Sequence, residues 1–315
     1  MKENTLIFIV LLIAAHVSAL AQSERKIAIT IDDLPVVSTR TDLKNRQNIT
    51  RKLLAQIKRE RVPVIGFVNE NKLYKNDKLD RDQVDLLNMW LNAGLELGNH
   101  TYSHRSLNTI SLNDYEADFL HGETITKRLL GERGRTIRYF RHPYLQTGRT
   151  MEIKENFGKF LVAHGYAIAP VSIDNGDYIF SRAYDNAFDK GDKALMRKVG
   201  SAYVPYMESK LEYWERQSTK VFGREISQIL LIHANFINSD YLADMIRMFR
   251  RRGYQIVDLD TALRDEAYRT PDEYTGPAGI SWLHRWALKK GRDYIVADEP
   301  RVPDFVLKLS GFDSE

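Results

Sequence analysis

Residues 30–38 read TIDDLPVVS. They continue an apolar, β-branched run at 27–31, so the two acids stand at the carboxyl end of a first strand. A dinucleotide-binding fold places glycines there, because a bare backbone can wrap a phosphate. Asp32 and Asp33 occupy that place instead, which disfavours such a fold. An α/β architecture with other chemistry at its strand ends is expected.

Further β-rich apolar runs lie at 63–68, 95–98, 136–140, 166–173, 229–232 and 254–257, giving seven strand candidates with the first. Segments of helical period separate them, and several stop at a glycine just before the next run, at Gly94, Gly165, Gly223 and Gly253. Strand followed by helix, repeated, argues for parallel strands joined by right-handed crossovers, in an open sheet or an incomplete barrel. No linker or low-complexity tract divides residues 26–265, so one domain is expected over 22–264 with a C-terminal extension over 265–315.

The chain has 315 residues, 43% hydrophobic and 28% charged, a make-up that excludes a disordered protein. The formal net charge of +4 comes from Lys and Arg scattered among acids on the polar faces of helical segments, which argues against a nucleic-acid partner. Cysteine is absent, so no disulfide contributes to stability. At the start, an apolar run at 6–15 precedes Ala19-Leu20-Ala21, which fits the small-x-small cleavage pattern of a secretory leader over 1–21. The run falls short of the roughly 20 residues that span a bilayer. An exported protein, periplasmic or secreted and without stable membrane insertion, is expected.

In a barrel of this kind, reacting groups come from the carboxyl ends of several strands. Polar residues gather there repeatedly: Asp32-Asp33, His100 and His104, Arg141-His142-Pro143-Tyr144, Asp174 and Asp177, and His233. The spacing of His100 and His104 puts both on one side of a helical turn, where a carboxylate from another strand completes a three-ligand metal site. The paired acids then divide into one ligand and one base. Each signal is weak alone, since acids commonly cap the helix that follows a strand. Their convergence is not.

In order along the chain, TIDDLP, HTYSH, RHPY, DNGDY and LLIH resemble the five motifs of the NodB-homology polysaccharide deacetylases, carbohydrate esterase family 4. The resemblance implies a distorted (β/α)7 barrel and hydrolytic removal of acetyl groups, N-acetyl first, from a chitin oligomer, peptidoglycan or an acetylated xylan. It implies that Asp33, His100 and His104 hold one divalent ion, zinc first, with cobalt, nickel or manganese as alternatives. Asp32 would be the general base, paired with Arg141, which holds it ionised. The backbone N–H of Tyr144 would bind the oxyanion, and His233, oriented by Asp177, would be the acid. Tyr178, Leu231 and Pro143 would line the substrate pocket. Alternative functions are an O-acetyl esterase, a small-molecule amidase, or a metal-containing carbohydrate-binding protein without turnover.

Three positions depart from the family motifs: Leu34 for Gly, which is expected to narrow the groove, Tyr178 for Trp, and Ile232 for Leu. His142 reads as a packing or groove residue. The long interval between the last two motifs reads as an added outer helix, and Trp282 and Trp286 share a helical face that packs on the barrel.

Overall fold

The computed structural model describes residues 25–291 and 298–315; the expected leader at 1–21 lies outside them. Seven strands form one parallel sheet: β1 (Arg25–Leu34), β2 (Val64–Val68), β5 (Glu96–Asn99), β6 (Tyr139–Phe140), β7 (Ala167–Ile168), β8 (Gln228–His233) and β9 (Tyr254–Val257). A small antiparallel ribbon, β3 (Tyr74–Lys75) and β4 (Lys78–Leu79), sits apart. Every expected strand is present. Helices fill each crossover, and Asp42, Asp80, Ser111, Thr150 and Asn235 cap five of them by accepting backbone N–H groups. Gly94, Gly165, Gly223 and Gly253 take positive φ at or just after helix ends, as their placement predicts.

The strand order is β7-β6-β5-β2-β1-β8. β1 is the hub. On one edge it pairs with β8; on the other, Arg25–Ala28 pair with β9 and Ile29–Leu34 with β2. The expected strand at 166–173 is regular only over Ala167–Ile168, because the chain then leaves β6 and crosses to β8, where Ile173 bridges Leu230. Pro170, which has no N–H, stands in the crossing. The sheet is thus a curled half-barrel whose two edges meet at this bridge.

Alternation along strands assigns the interior. Ala28, Ile65, Phe67, Tyr139, Ala169, Ile229 and Val257 pack into one apolar cluster inside the curl. Two and four residues further along their strands, the same face carries Thr30 and Asp32, Arg141, and Leu231 and His233. A dry floor below therefore passes into a polar rim above. The larger cluster, including Ile27, Ile29, Ile31, Trp90, Phe119 and Trp214, lies between the sheet and its helices.

After β7 come the helices Asp177–Asp189 and Lys193–Phe222, the latter being the added helix the interval predicts. The tail carries the helices Trp282–Lys289 and Asp304–Ser310. Trp282 and Trp286 are buried in the main core.

Candidate active site

In a regular strand, neighbouring side chains point to opposite faces, so Asp32 and Asp33 could not share a site. The β1–β2 register shifts between Ile31 and Leu34, and Asp33 takes φ 70°. This bulge turns Asp33 back toward the groups that Asp32 meets. Asp32 Oδ2 lies 3.6 Å from Arg141 Nη1 and 3.8 Å from His100 Nε2; Asp33 Oδ1 lies 3.8 Å from His100 Nε2 and 3.6 Å from His104 Nε2. Leu34, expected to narrow the groove, is fully buried in the core and cannot.

His100 and His104 do not lie on a helical turn. The segment after β5 is a bent loop in which Thr101 and His104 take φ of 62° and 57°. Asn99 Oδ1 accepts the Thr101 N–H at 2.7 Å, and Thr101 Oγ1 accepts the His104 N–H at 3.0 Å. Ser103 donates to Asp118 through its backbone N–H and its hydroxyl, at 3.1 and 2.6 Å. These local bonds, rather than helix periodicity, bring the two rings to a centroid distance of 4.9 Å.

Asp33, His100 and His104 can each offer one ligand atom, all within 4.8 Å of one another. Two further observations fit a divalent cation. Asp33 Oδ1 is buried and makes no hydrogen bond among the described residues. His100 Nδ1 lies 2.7 Å from the Arg141 carbonyl, so Nδ1–H donates there and Nε2 keeps its lone pair toward Asp33. Burial pushes both histidines toward the neutral form that binds metal, His100 well below its ordinary range.

The two acids are tuned in opposite directions. Burial dominates at Asp32 and pushes it up to about 6, against the opposing charge of Arg141. At Asp33 burial also acts upward, but the charges of Lys72, His104, His233 and His100 outweigh it and hold the carboxyl below its usual range. The expectation that Arg141 holds Asp32 ionised is therefore met only in part. At 3.6 Å the guanidinium makes no hydrogen bond to the acid; its Nη2 donates to Thr30 Oγ1 at 2.9 Å.

Across the sheet, Asp32 and His233 are register partners on adjacent strands. His233 Nδ1 lies 2.7 Å from Asp177 Oδ1, while Asp177 Oδ2 accepts the His233 N–H and the side-chain amides of Asn235 and Asn238. Burial alone would lower the imidazole, but the charge and hydrogen bond of Asp177 raise it to about 9. Tyr178 is half-exposed beside it, with rings 6.4 Å apart, and Leu231 lies on the same face of β8. Asp174 caps the turn before Asp177 by accepting the Asn175 N–H.

From β6 the chain enters a tight turn at Pro143–Leu145. Pro143 is buried there, and the exposed Tyr144 ring lies 4.5 Å from that of His104. His142 is buried against Phe140 and Phe157, near the Tyr115 hydroxyl, and serves packing.

Sequence reasoning missed Lys72, whose Nζ donates to the Asp33 carbonyl at 3.0 Å and lies 3.4 Å from Oδ1. It comes from a short 3-10 turn after β2 that no motif marks. Asn235 and Asn238 were missed too, although Asn235 stands two residues after His233 at a helix start, the usual place for an amide cap.

The model of the polysaccharide deacetylase family matches residues 19–160, which span the strand-end residues from Asp32 through Tyr144. Among curated proteins, nothing matches the chain. Among solved structures, the chain is similar to the peptidoglycan deacetylase PdaC of Bacillus subtilis, at 17% identity and TM-score 0.48, over 79% of this chain and 94% of that one. It is also similar to PdaA of Bacillus subtilis, a family 4 carbohydrate esterase, at 18% identity and TM-score 0.49, over 77% and 82%. A family 4 pseudoenzyme of Bacillus anthracis is similar at 15% identity and TM-score 0.47, over 77% and 66%.

Proposed function

We propose that the chain is a metal-dependent hydrolase that removes acetyl groups, N-acetyl first, from a saccharide. The observation that carries this reading is the pairing, on adjacent strands, of an elevated carboxyl at Asp32 with an imidazole at His233, beside three residues that fit a cation. Asp33, His100 and His104 would hold the ion. When bound, it would supply Lewis-acid polarisation of the acetyl carbonyl and a lowered pKa for the attacking water.

The chain's own residues then account for the proton movements. Asp32, ionised above about pH 6, accepts the proton of the water whose oxygen bonds to the carbonyl carbon. Tyr144 N–H, which makes no hydrogen bond among the described residues, is the donor offered to the oxyanion. His233, protonated below about pH 9, passes its Nε2 proton to the leaving nitrogen as the C–N bond breaks. Asp177 holds Nδ1–H and so keeps Nε2 as the donating atom. Tyr178 and Leu231 wall the pocket on that side.

The leader motif supports export, periplasmic or secreted, and the strand-end motifs support a deacetylase domain over 22–264. The test is acetate release by the purified chain, metal-stripped and zinc-loaded, from N-acetylated chitin oligomers, peptidoglycan and acetylated xylan in parallel. Metal-dependent release from an N-acetyl substrate supports the reading. Release only from xylan moves it to an O-acetyl esterase, and silence on all three with metal bound overturns it in favour of a small-molecule amidase or a binding protein.

A further inference from the structure

Two consecutive residues in the Pro143–Leu145 turn, Tyr144 and Leu145, take φ of 56° and 53°. Side chains other than glycine enter this region at an energetic cost, and such conformations persist only where surrounding contacts over-determine them. Besides Ser106, which donates to Gln146, those contacts include several from the tail, more than 130 residues away in sequence.

Arg285, 2% exposed, reaches from the helix Trp282–Lys289 to the turn. Its Nη2 donates to the Leu145 carbonyl, and its Nη1 donates to Thr147 Oγ1 at 3.0 Å and to Asp272 Oδ2 at 2.7 Å. Its own place is set by Nε donating to the Ile280 carbonyl at 2.9 Å and by stacking on Trp282 at 3.9 Å. Gln146 Nε2 donates to the Pro277 carbonyl at 2.9 Å. Gly279 presses on Tyr144 so closely that a Cβ there would lie 1.6 Å from the Tyr144 carbonyl oxygen. Only a glycine lets the tail approach this far.

We propose that the C-terminal tail belongs to the catalytic apparatus: Arg285 and Gly279 are positioning residues that fix the carbonyls of Leu145 and Tyr144, and through them the strained φ of Tyr144 on which the direction of its N–H depends. The inference rests on the deacetylase reading, in which that N–H is the oxyanion donor. Neither residue touches the reacting atoms. Both act through the turn.

The experiment uses the full chain with Arg285→Met and, separately, Gly279→Ala. Hydrogen exchange is followed at the amides of Leu145 and Gln146, which donate within the turn to the carbonyls of His142 and Pro143, both at 3.1 Å. Metal stoichiometry, kcat and KM are measured on the same samples. Faster exchange confined to the turn is expected, with metal content unchanged, kcat lowered roughly ten- to a hundredfold and KM within about twofold, since displacement of a donor acts on the transition state. Unchanged exchange or unchanged kcat in a folded variant overturns the proposal, as does a kcat loss proportional to metal loss. If Arg285→Met does not fold, Gly279→Ala decides, because it removes no hydrogen bond. If the wild-type chain releases no acetate from any substrate, the deacetylase reading fails, while exchange at the turn still decides whether the tail holds it.

Discussion

Asp32 and Asp33 are adjacent in the chain and opposite in behaviour, and the difference is one of surroundings. Burial without a hydrogen bond from Arg141 leaves Asp32 with a pKa of about 6, while Lys72 and three histidines keep Asp33 ionised. His233 provides a direct test of the site's electrostatics. Its pKa is about 9 when folded against about 6.5 when free, so the fold favours the protonated ring. The stabilisation it contributes is fully present below about pH 6.5 and is lost as pH rises through 9. Urea unfolding of the metal-free chain should therefore show stability falling across that window from this group, and Asp177→Asn should flatten the fall. A slope unchanged by Asp177→Asn would contradict the pairing. His233→Ala should slow hydrolysis of an acetamide far more than that of an activated acetate ester, because a good leaving group needs little protonation. Equal losses on both would remove His233 as the acid.

The elements that bring these residues together were legible in the sequence to different degrees. Strand identity was clear because a parallel strand buried on both faces reads as an unbroken apolar run, as in the 229–232 segment of β8. The bulge that turns Asp33 was not, since it depends on how β1 meets β2 rather than on any local residue preference. The geometry of His100 and His104 was misread for a related reason. A spacing of four suits a helical turn, but Asn99, Thr101 and Asp118 bind the loop's backbone and hold it in a bend. Gly122 packs against that bend, and a Cβ there would lie 2.4 Å from Thr101 C and Tyr102 N. Gly122→Ala must therefore shift the loop. Metal affinity measured by competitive chelation should fall roughly tenfold or more although no ligand is altered. Unchanged affinity would show that the loop is held independently of this contact.

For the whole molecule, the curled sheet supplies a dry floor and the tail supplies a wall. Trp286, 1% exposed, is stacked edge-on to Phe222 and Tyr268 and donates to the Thr270 carbonyl at 3.1 Å. Trp286→Ala should cost about 3–5 kcal/mol in urea unfolding, the range for truncating a large core aromatic. A cost under about 1 kcal/mol would mean that the tail docks loosely. The packing of Trp282 and Trp286 was legible as a helical stripe, but the reach of Arg285 to the Tyr144 turn was not, because contacts between distant segments leave no local pattern. The division of labour at the β1 end remains the central claim, and it is tested most directly by measuring metal stoichiometry and acetate release together in Asp32→Asn and His104→Ala. Asp32→Asn should retain one metal ion per chain and release no acetate, while His104→Ala should lose both. Equal loss of metal in the two variants would contradict the account.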